Sequence, residues 1–300
     1  MASETSPPVR AVAASRLRRA IAVRIAIYVA LTLAAALFLV PLLIMVLTSF
    51  KTMDEIRSGT IFDLPHALDW TAWLKAWSGA CTGLDCRGIS PGFWNSVHIL
   101  VPSVILSIFC GSITGYALAV WRFRGANAVL LALMVGAFLP YQVIIYPLVK
   151  ILSFLGIYGS LAGIVTLHIV FGMPLMTMLF RNHFVSIPAD LIKAARVDGA
   201  GFFRIFFSIL LPMSPNMLIV AVILQVTGIW NDFLLGLIFA GQANQPMTVQ
   251  LNNIVVNAHG TVEYNVNMAA TILTALPPLL VYLISGRYFV RGIASGSVKG

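Results

Sequence analysis

Long apolar stretches alternate with short polar segments along this chain of 300 residues. A helix needs about 20 predominantly apolar residues to cross the hydrocarbon core of a bilayer. Stretches close to or above that length lie at about 25–47, 93–120, 126–148, 161–180, 213–240 and 268–285. The pattern therefore predicts an all-α polytopic membrane protein with six transmembrane helices.

The first apolar stretch follows a basic segment, residues 1–24. A cleaved signal peptide is the competing interpretation of such an N-terminus. The apolar region of a signal peptide is only about 7–15 residues long, whereas residues 25–47 are long enough to span a bilayer. We therefore predict a retained first helix behind a cytoplasmic basic tail.

Composition supports a membrane protein. Hydrophobic residues make up 59% of the chain and charged residues 10%, and the mean hydropathy is +0.93. The net charge of +9 is not gathered into a basic patch with interleaved aromatic residues, so it does not indicate a nucleic-acid partner. Arginine and lysine instead concentrate in the N-terminal tail, after residues 120 and 180, and near the C-terminus. By the positive-inside rule, both termini lie in the cytoplasm of a bacterial-type inner (plasma) membrane.

The polar stretch 186–212 predicts a helix, a corner and a second helix outside the bilayer. Pro188 suits a first helical position, and Asp190 lies in the first turn, where a carboxylate favours the helix dipole. Gly199 is a suitable C-terminal stop. A second amphipathic segment then runs to Pro212, which begins the next membrane segment.

This stretch resembles the cytoplasmic coupling loop of ABC importer permeases, in which E-A-A is followed by three residues, a glycine, nine residues and I-x-L-P. The matching positions are Ala194, Ala195, Gly199, Ile209, Leu211 and Pro212, and Asp198 extends the match. Lys193 stands where the family usually has a glutamate, which reverses the charge offered to an ATPase subunit. The resemblance implies that these residues form an ATPase-coupling surface. An ordinary amphipathic loop helix between two spans is the alternative interpretation.

The resemblance covers nearly the whole chain. Residues 48–52, 230–233 and 292–300 look like carbohydrate importers of the maltose-permease type. The greatest similarity is to the glucose/mannose branch, at 193–203, 245–253 and 263–269. By the same resemblance, Lys299 in the C-terminal tail is a second ATPase contact.

The resemblance implies that residues 25–300 form a transmembrane domain with the type I ABC importer permease fold. The chain is then one permease subunit of an ATP-driven, binding-protein-dependent sugar importer, with glucose or a related monosaccharide as the expected solute. Its expected partners are a second permease, two ATPase subunits, an extracytoplasmic sugar-binding protein and membrane lipid. The sequence has no G-x-x-x-x-G-K-[ST] loop to hold phosphates. We therefore expect no enzymatic activity and no bound cofactor, with ATP and Mg in partner subunits.

A secondary carrier and a membrane-embedded enzyme are the alternatives to an importer. An ion-coupled secondary carrier of a small polar solute needs titratable groups within its spans. The sequence shows no lysine or arginine in a span interior, and the lone residues His98 and His168 are expected to serve packing. A membrane-embedded enzyme needs a catalytic cluster, and the sequence shows none.

Polar residues near the outer end of the fifth span are candidates for a solute path. They are Gln225, Trp230, Asn231 and Asp232. One interpretation is that they line the upper half of the path, with the indole stacking on a sugar ring. The other is that they anchor the helix at the membrane interface.

The first outside loop, about 51–92, contains Cys81 and Cys86. In an oxidising compartment these residues would form a small disulfide loop; two reduced thiols in a short turn are the alternative. Two cysteines alone do not make a metal site, and we expect none.

The second large outside loop, 241–267, is rich in amides. The candidates for contact with a binding protein are Gln245, Gln250, Asn252 and Asn253. In the resembled family this loop reaches into the mouth of the solute-binding protein. A solvated loop is the alternative interpretation.

Overall fold

The structure is a computed structural model that describes residues 9–83, 85–121, 123–256 and 262–297, with side chains between residues 18 and 286 of these ranges. Within these ranges the protein is helical, without strands. The helices are α1 (Val9–Ser49), α2 (Met53–Ser58), α3 (Thr71–Ser78), α4 (Ser90–Val120), α5 (Ala126–Phe138), α6 (Ile145–Phe154), α7 (Leu161–Val185), α8 (Ala189–Val197), α9 (Phe202–Ile205), α10 (Pro215–Trp230), α11 (Leu234–Phe239), α12 (Met247–Val256) and α13 (Tyr264–Ser297). Short 3-10 turns lie at Tyr141–Ile144 and Gln242–Asn244, and a π-helical turn lies at Phe206–Leu210.

Membrane-spanning helices dominate the described residues. Four are long and apolar enough to cross a bilayer: Arg18–Ser49 of α1, all of α4, all of α7, and Tyr264–Gly286 of α13. The number rises to six if each of two bent helix pairs is one span: Ala126–Phe138 with Tyr141–Phe154, and Phe202–Leu210 with Pro215–Trp230. The predicted all-α polytopic class is therefore confirmed. Both bent pairs turn by 92°. The first bend lies within the predicted third span, and the second lies between Leu210 and Pro215, where the predicted fifth span begins.

The predicted third span, 126–148, is broken in the middle. α5 ends at Phe138, and Leu139 adopts an extended conformation, with φ −71° and ψ 121°. Pro140 explains the break, because a proline ring disfavours the helical conformation of the preceding residue and supplies no N–H. The chain resumes in the 3-10 turn and in α6, which reaches Phe154.

The predicted fifth span, 213–240, is also interrupted. α10 ends at Trp230 and α11 begins at Leu234. Between them, the Asp232 carboxylate accepts hydrogen bonds from the backbone N–H groups of Leu235, at 3.4 Å, and Gly236, at 3.0 Å. The first amides of a helix have no partner within the helix. Asp232 therefore starts a new helix where the sequence pattern predicted a continuous one.

The described residues form two units, of which the first comprises residues 1–72 and 263–269. The α1 side chains between 18 and 43 are exposed and mostly apolar, which suits a helix in contact with lipid. Asn265 Nδ2 donates to the carbonyl oxygen of Lys51 at 3.0 Å. This bond joins the two segments of the first unit.

A capping box starts α2 in this unit. Thr52 Oγ1 accepts from the Glu55 N–H at 3.3 Å, and Glu55 Oε2 accepts from the Thr52 N–H at 2.7 Å. Two unpaired amides are satisfied in this reciprocal way. The Thr52 N–H, followed by that of His66, holds the pKa of the Glu55 carboxyl below its ordinary value.

The second unit comprises residues 73–262 and 270–300, and the pairing of α4 with α7 is its largest interface. Gly111 and Gly115 lie on the α4 face that meets α7. A Cβ atom at Gly115 would lie 2.8 Å from the carbonyl oxygen of Thr177 and 2.8 Å from the backbone nitrogen of Arg181. Small residues four apart therefore permit a backbone approach that no larger side chain allows.

Gly115→Ala is expected to destabilise the protein, because the added methyl group meets backbone atoms that cannot move aside. Overpacking of this kind costs about 1–3 kcal/mol. Thermal unfolding of the purified protein in detergent would measure the loss.

The matched control is Gly136→Ala on α5, where a Cβ atom has no neighbour within 4 Å. This change is expected to be neutral or stabilising by about 0.5–1 kcal/mol, because alanine loses less backbone entropy in a helix. Equal unfolding midpoints for the two variants would contradict the close approach of α4 and α7.

Candidate functional site

A helical corner stands at one end of the α4–α7 pair. α8 ends at Val197, Gly199 turns the chain with φ +78°, and α9 begins at Phe202. A positive φ of this size favours glycine, which has no Cβ to clash. Pro188 precedes α8 at the N-cap instead of occupying the first helical position. The structure thus has the helix, corner and helix that the polar stretch 186–212 predicts.

The predicted coupling residues divide into an outer and an inner group. Ala194, Asp198 and Gly199 are exposed, while Ala195 is buried in the core of the second unit. The two predicted coupling residues at the end of the stretch also differ: Pro212 is exposed, and Leu211 is half-buried against the core. The predicted coupling residues available to a partner are therefore Lys193, Ala194, Asp198, Gly199 and Pro212.

Lys193 is also exposed, and its Nζ lies 2.9 Å from Asp190 Oδ1 on the preceding turn. An exposed pair of this kind contributes little to stability. It does place a carboxylate next to the lysine that replaces the family's usual glutamate. The local surface therefore offers both signs of charge.

Arg196 ties α8 to the end of α4. Its guanidinium lies 4.6 Å from the centre of the Trp121 ring, and its Nη2 donates to the Val120 carbonyl oxygen at 3.3 Å. A cation over an indole face is attracted by the ring quadrupole. α8 is thereby attached to a membrane span rather than to the loop alone.

An aromatic cluster fixes α9 in the same way. The Tyr116 ring of α4 lies 4.5 Å from that of Phe202, centre to centre, and 5.7 Å from that of Phe206. The Tyr116 hydroxyl donates to the Phe202 carbonyl oxygen at 3.3 Å. Movement of the corner must therefore move α4, or break these contacts.

A cavity of about 660 Å³ lies beside α8. Its lining comes from the ends of α4 and α7 and from α8: Ala119, Val120, Trp121, Phe184, Val185, Ile187, Ala189, Ile192, Lys193 and Arg196. The groove combines an apolar floor with two cations at its edge. Lys299, the other predicted ATPase contact, lies outside the described residues.

A second cavity, of about 740 Å³, lies toward the other end of α7. Its lining includes the 3-10 turn after α5, one face of α7, the C-terminal half of α10 and the break before α11: Tyr141, Gln142, His168, Phe171, Gly172, Leu175, Leu224, Gln225, Thr227, Gly228, Ile229, Asn231, Asp232, Phe233, Leu234 and Leu235. Both helix breaks open onto it. Because the predicted topology places the start of α7 on the outer side of the membrane, we call it the outer cavity.

Three predicted path residues reach the outer cavity: Gln225, Asn231 and Asp232. Trp230 does not line it. Its side chain is 3% exposed, its Nε1 donates to the Thr274 carbonyl oxygen at 2.9 Å, and its ring lies against Phe93. Trp230 therefore holds α10 against α13 and α4, and in this conformation its buried indole does not face the outer cavity.

His168 is a cavity residue that the sequence did not indicate. It was expected to serve packing, yet its Nε2 lies 4.0 Å from Asp232 Oδ2, and both side chains are largely buried. Residues this far apart along the chain show no common pattern. The only available signal was that each is a polar residue near the outer end of an apolar span.

The amide residues of the outer loop have mostly internal roles. Gln250 is 8% exposed, and its Oε1 accepts from the Gly92 N–H at 2.8 Å. Gln245 Oε1 accepts from Asn253 Nδ2 at 3.3 Å. Only Asn252 of the four is exposed. Gln250 is therefore a link between α12 and α4, and a surface contact through it is excluded in this conformation.

The first outside loop contains a short disulfide-closed segment. Cys81 and Cys86 form a disulfide in the structure, and the Arg87 guanidinium pairs with the Asp85 carboxylate. The hydrogen bond from the Arg87 guanidinium holds the pKa of the Asp85 carboxyl below its ordinary value. Among the described residues, no group of three or more His, Cys, Asp or Glu side chains is arranged to hold a metal.

The geometry defines a helical membrane protein with a cavity at two helix breaks along α7 and an exposed helical corner after the C-terminal end of α7. Residues 97–295 match the family described as "binding-protein-dependent transport system inner membrane component". The chain belongs to this family and is therefore a multi-pass inner-membrane component. Its fold is that of the type I ABC importer permeases.

Individual relatives agree with this family, and a solved structure shares the fold. A "probable ABC transporter permease protein" of Pyrococcus horikoshii is 39% identical over 60% of this chain and 65% of its own length. The "alpha-glucoside transport system permease protein" of Rhizobium meliloti is 36% identical over 72% of this chain and 58% of its own length. The "diacetylchitobiose uptake system permease protein" of Streptomyces coelicolor is 31% identical over 90% of this chain and 87% of its own. A chain of a bacterial ABC transporter that imports alginate superposes with a TM-score of 0.75 and 21% identity, covering 95% of this chain and all of that one.

Gln250→Leu is expected to destabilise the protein by about 1–3 kcal/mol, because it leaves the buried Gly92 N–H without its acceptor. Thermal unfolding in detergent would measure this loss. Asn252→Leu makes a matched amide-to-leucine change at an exposed position and is expected to stay within about 0.5 kcal/mol of the wild type. A Gln250 variant of unchanged stability would show that the Gly92 contact is dispensable.

Proposed function

We propose that this chain is a permease subunit of an ATP-driven, binding-protein-dependent sugar importer. The observation that supports this most directly is the exposed corner of α8 and α9, which is attached to α4 through Arg196 and Tyr116. A surface that is both exposed and attached to a span can pass a partner's movement into the membrane. Family membership supports the same conclusion.

ATP hydrolysis is proposed to take place in two ATPase subunits, since the sequence has no phosphate-binding loop of its own. Closure of the ATPase pair would push on Ala194 and the corner at Gly199. The spans would then rearrange toward an outward-facing state. Such coupling requires that ATP and the loaded binding protein favour the same state, because equal affinity for both states shifts nothing.

The orientation follows from charge. Both termini and the α8–α9 corner are proposed to face the cytoplasm, where an ATPase can reach them. Lys299 is a second proposed ATPase contact. The opposite side would receive the sugar-binding protein, with Asn252 as the exposed amide of the predicted contact set. A second permease would complete the path, since one such chain supplies one set of spans.

The solute is proposed to be a neutral sugar. The relatives from Rhizobium meliloti and Streptomyces coelicolor are named for an alpha-glucoside and for diacetylchitobiose. Similarity to the glucose/mannose branch at 193–203 and 245–253 instead favours a monosaccharide. A substrate test should therefore include both monosaccharides and oligosaccharides.

Purification of the tagged protein from its native membrane in detergent tests the assembly. We expect an ATPase and a second polytopic permease to co-purify. The complex, with its binding protein, should take up a sugar only when ATP is present. Active uptake by a preparation that lacks any ATPase would contradict the proposal and favour the ion-coupled carrier.

Gly199→Trp is expected to abolish sugar uptake while leaving the amount of membrane-inserted protein unchanged. A tryptophan resists the φ of +78° and adds bulk at the corner where the ATPase is proposed to dock. Uptake and immunoblot intensity in the same vesicles measure the two effects. Gly136→Trp on α5 makes the same change at a position with no close neighbour and is expected to retain uptake. Normal uptake by the Gly199 variant at normal protein level would refute coupling through this corner.

A further inference from the structure

The outer cavity contains polar groups whose hydrogen-bonding capacity the protein does not use. Gln225 is 6% exposed, and its Nε2 has no hydrogen-bond partner within the described ranges. A buried donor without a partner costs free energy. Such a group in a native fold requires an explanation, and a bound ligand is one.

Gly172 holds this amide in place. A methyl group there would lie 2.5 Å from Gln225 Nε2 and 2.9 Å from its Oε1. The Gln225 side chain therefore lies directly against the α7 backbone, where only a glycine leaves room. The close fit restricts its rotamers and keeps the amide at the cavity wall.

His168 and Asp232 present a second incomplete arrangement. Their nearest nitrogen and oxygen are 4.0 Å apart, which is too far for a hydrogen bond. An oxygen atom placed at about 2.8 Å from each would bond to both. Asp232 keeps lone pairs for this contact, because a carboxylate has about four acceptor positions and only two backbone amides use them.

The rest of the wall suits a hydroxyl-rich ring. The rings of Tyr141 and Phe171 lie 5.7 Å apart, centre to centre, and provide an apolar surface beside the polar groups. Among the described residues, those that line the outer cavity include no lysine or arginine. The cavity volume of about 740 Å³ falls within the range of small-molecule sites. These features favour a neutral polyol over an anion.

We propose that Gln225, His168 and Asp232 form a subsite in this permease subunit that binds hydroxyl groups of the sugar during import. The inference rests on the proposed function and extends it, because it places direct recognition of the sugar in this chain. Gln225 donates one hydrogen bond, and His168 and Asp232 together hold a second hydroxyl.

Gln225→Met tests the subsite in the complete complex reconstituted into vesicles. Methionine has a similar shape to glutamine but no amide, and it removes an unpaired donor, so the fold is expected to remain intact. Radiolabelled glucose, maltose and diacetylchitobiose would be offered with the binding protein, and the sugar that the wild type imports would be used. We expect about fivefold less sugar imported per ATP hydrolysed, as the loss of one hydrogen bond predicts.

The matched control is Asn127→Met, which makes an amide-to-methionine change at an exposed position of α5 outside the cavity. Its uptake and its ATPase activity are expected to equal those of the wild type. Deoxy analogues of the imported sugar provide a further readout. On the analogue that lacks the hydroxyl bound by Gln225, wild type and Gln225→Met should import equally well, which a purely structural role would not produce.

A second pair of variants addresses the other half of the subsite. His168→Gln keeps a hydrogen-bonding group near the Nε2 position and is expected to retain most of the uptake. His168→Leu removes it and is expected to lose about fivefold.

Three results would overturn the subsite. Unchanged import per ATP in Gln225→Met would show that the amide only packs. Equal loss of uptake and ATPase activity would show damage to the fold or assembly. Loss of wild-type uptake on adding a protonophore, with ATP still present, would assign His168 and Asp232 to proton movement. A wild-type complex without any binding-protein-dependent uptake would instead overturn the proposed function, and the subsite with it.

Discussion

Contact between the backbones of α4 and α7 is the constraint on which the second unit depends. Gly111 and Gly115 admit the backbone of α7 at a distance that any side chain would prevent. In a bilayer the hydrophobic effect does not drive helices together, so close packing of small residues must do so. Because α4 and α7 are fixed to each other, the cavity beside α7 and the corner attached to α4 share one rigid support.

The corner and the outer cavity have opposite physical characters. At the corner, Arg196 and Tyr116 each donate a hydrogen bond to a backbone carbonyl oxygen, so this end is tied by internal contacts. At the outer cavity, the helices of the predicted third and fifth spans break, at Pro140 and at Asp232, and Gln225 Nε2 has no hydrogen-bond partner within the described ranges. Interrupted helices are tolerated at membrane depth only where they line a cavity or are buried in protein. The cavity therefore explains why two helices can be interrupted at this point in the fold.

A cavity and a corner supported by the same helix pair give a physical route for coupling. A solute that binds one of two conformations more tightly shifts the equilibrium toward that conformation. A partner bound at the corner shifts the same equilibrium through the same helices. The effect is reciprocal, since each ligand changes the affinity for the other by the same factor. Tight internal packing favours such coupling, because packed cores switch between discrete arrangements rather than deforming gradually.

Features encoded over a few residues were predictable from the sequence alone. Apolar length predicted the spans, and Gly199 with its neighbours predicted the corner, because membrane burial and a left-handed turn are local requirements. Pro140 carried a local signal for the break as well, although the apolar pattern around it concealed it. The tertiary structure alone decided the partners of distant residues: Gln250 with Gly92, Trp230 with Thr274, and His168 with Asp232. Each of these contacts joins different helices, and its geometry depends on how the helices pack, which one-dimensional periodicity does not encode.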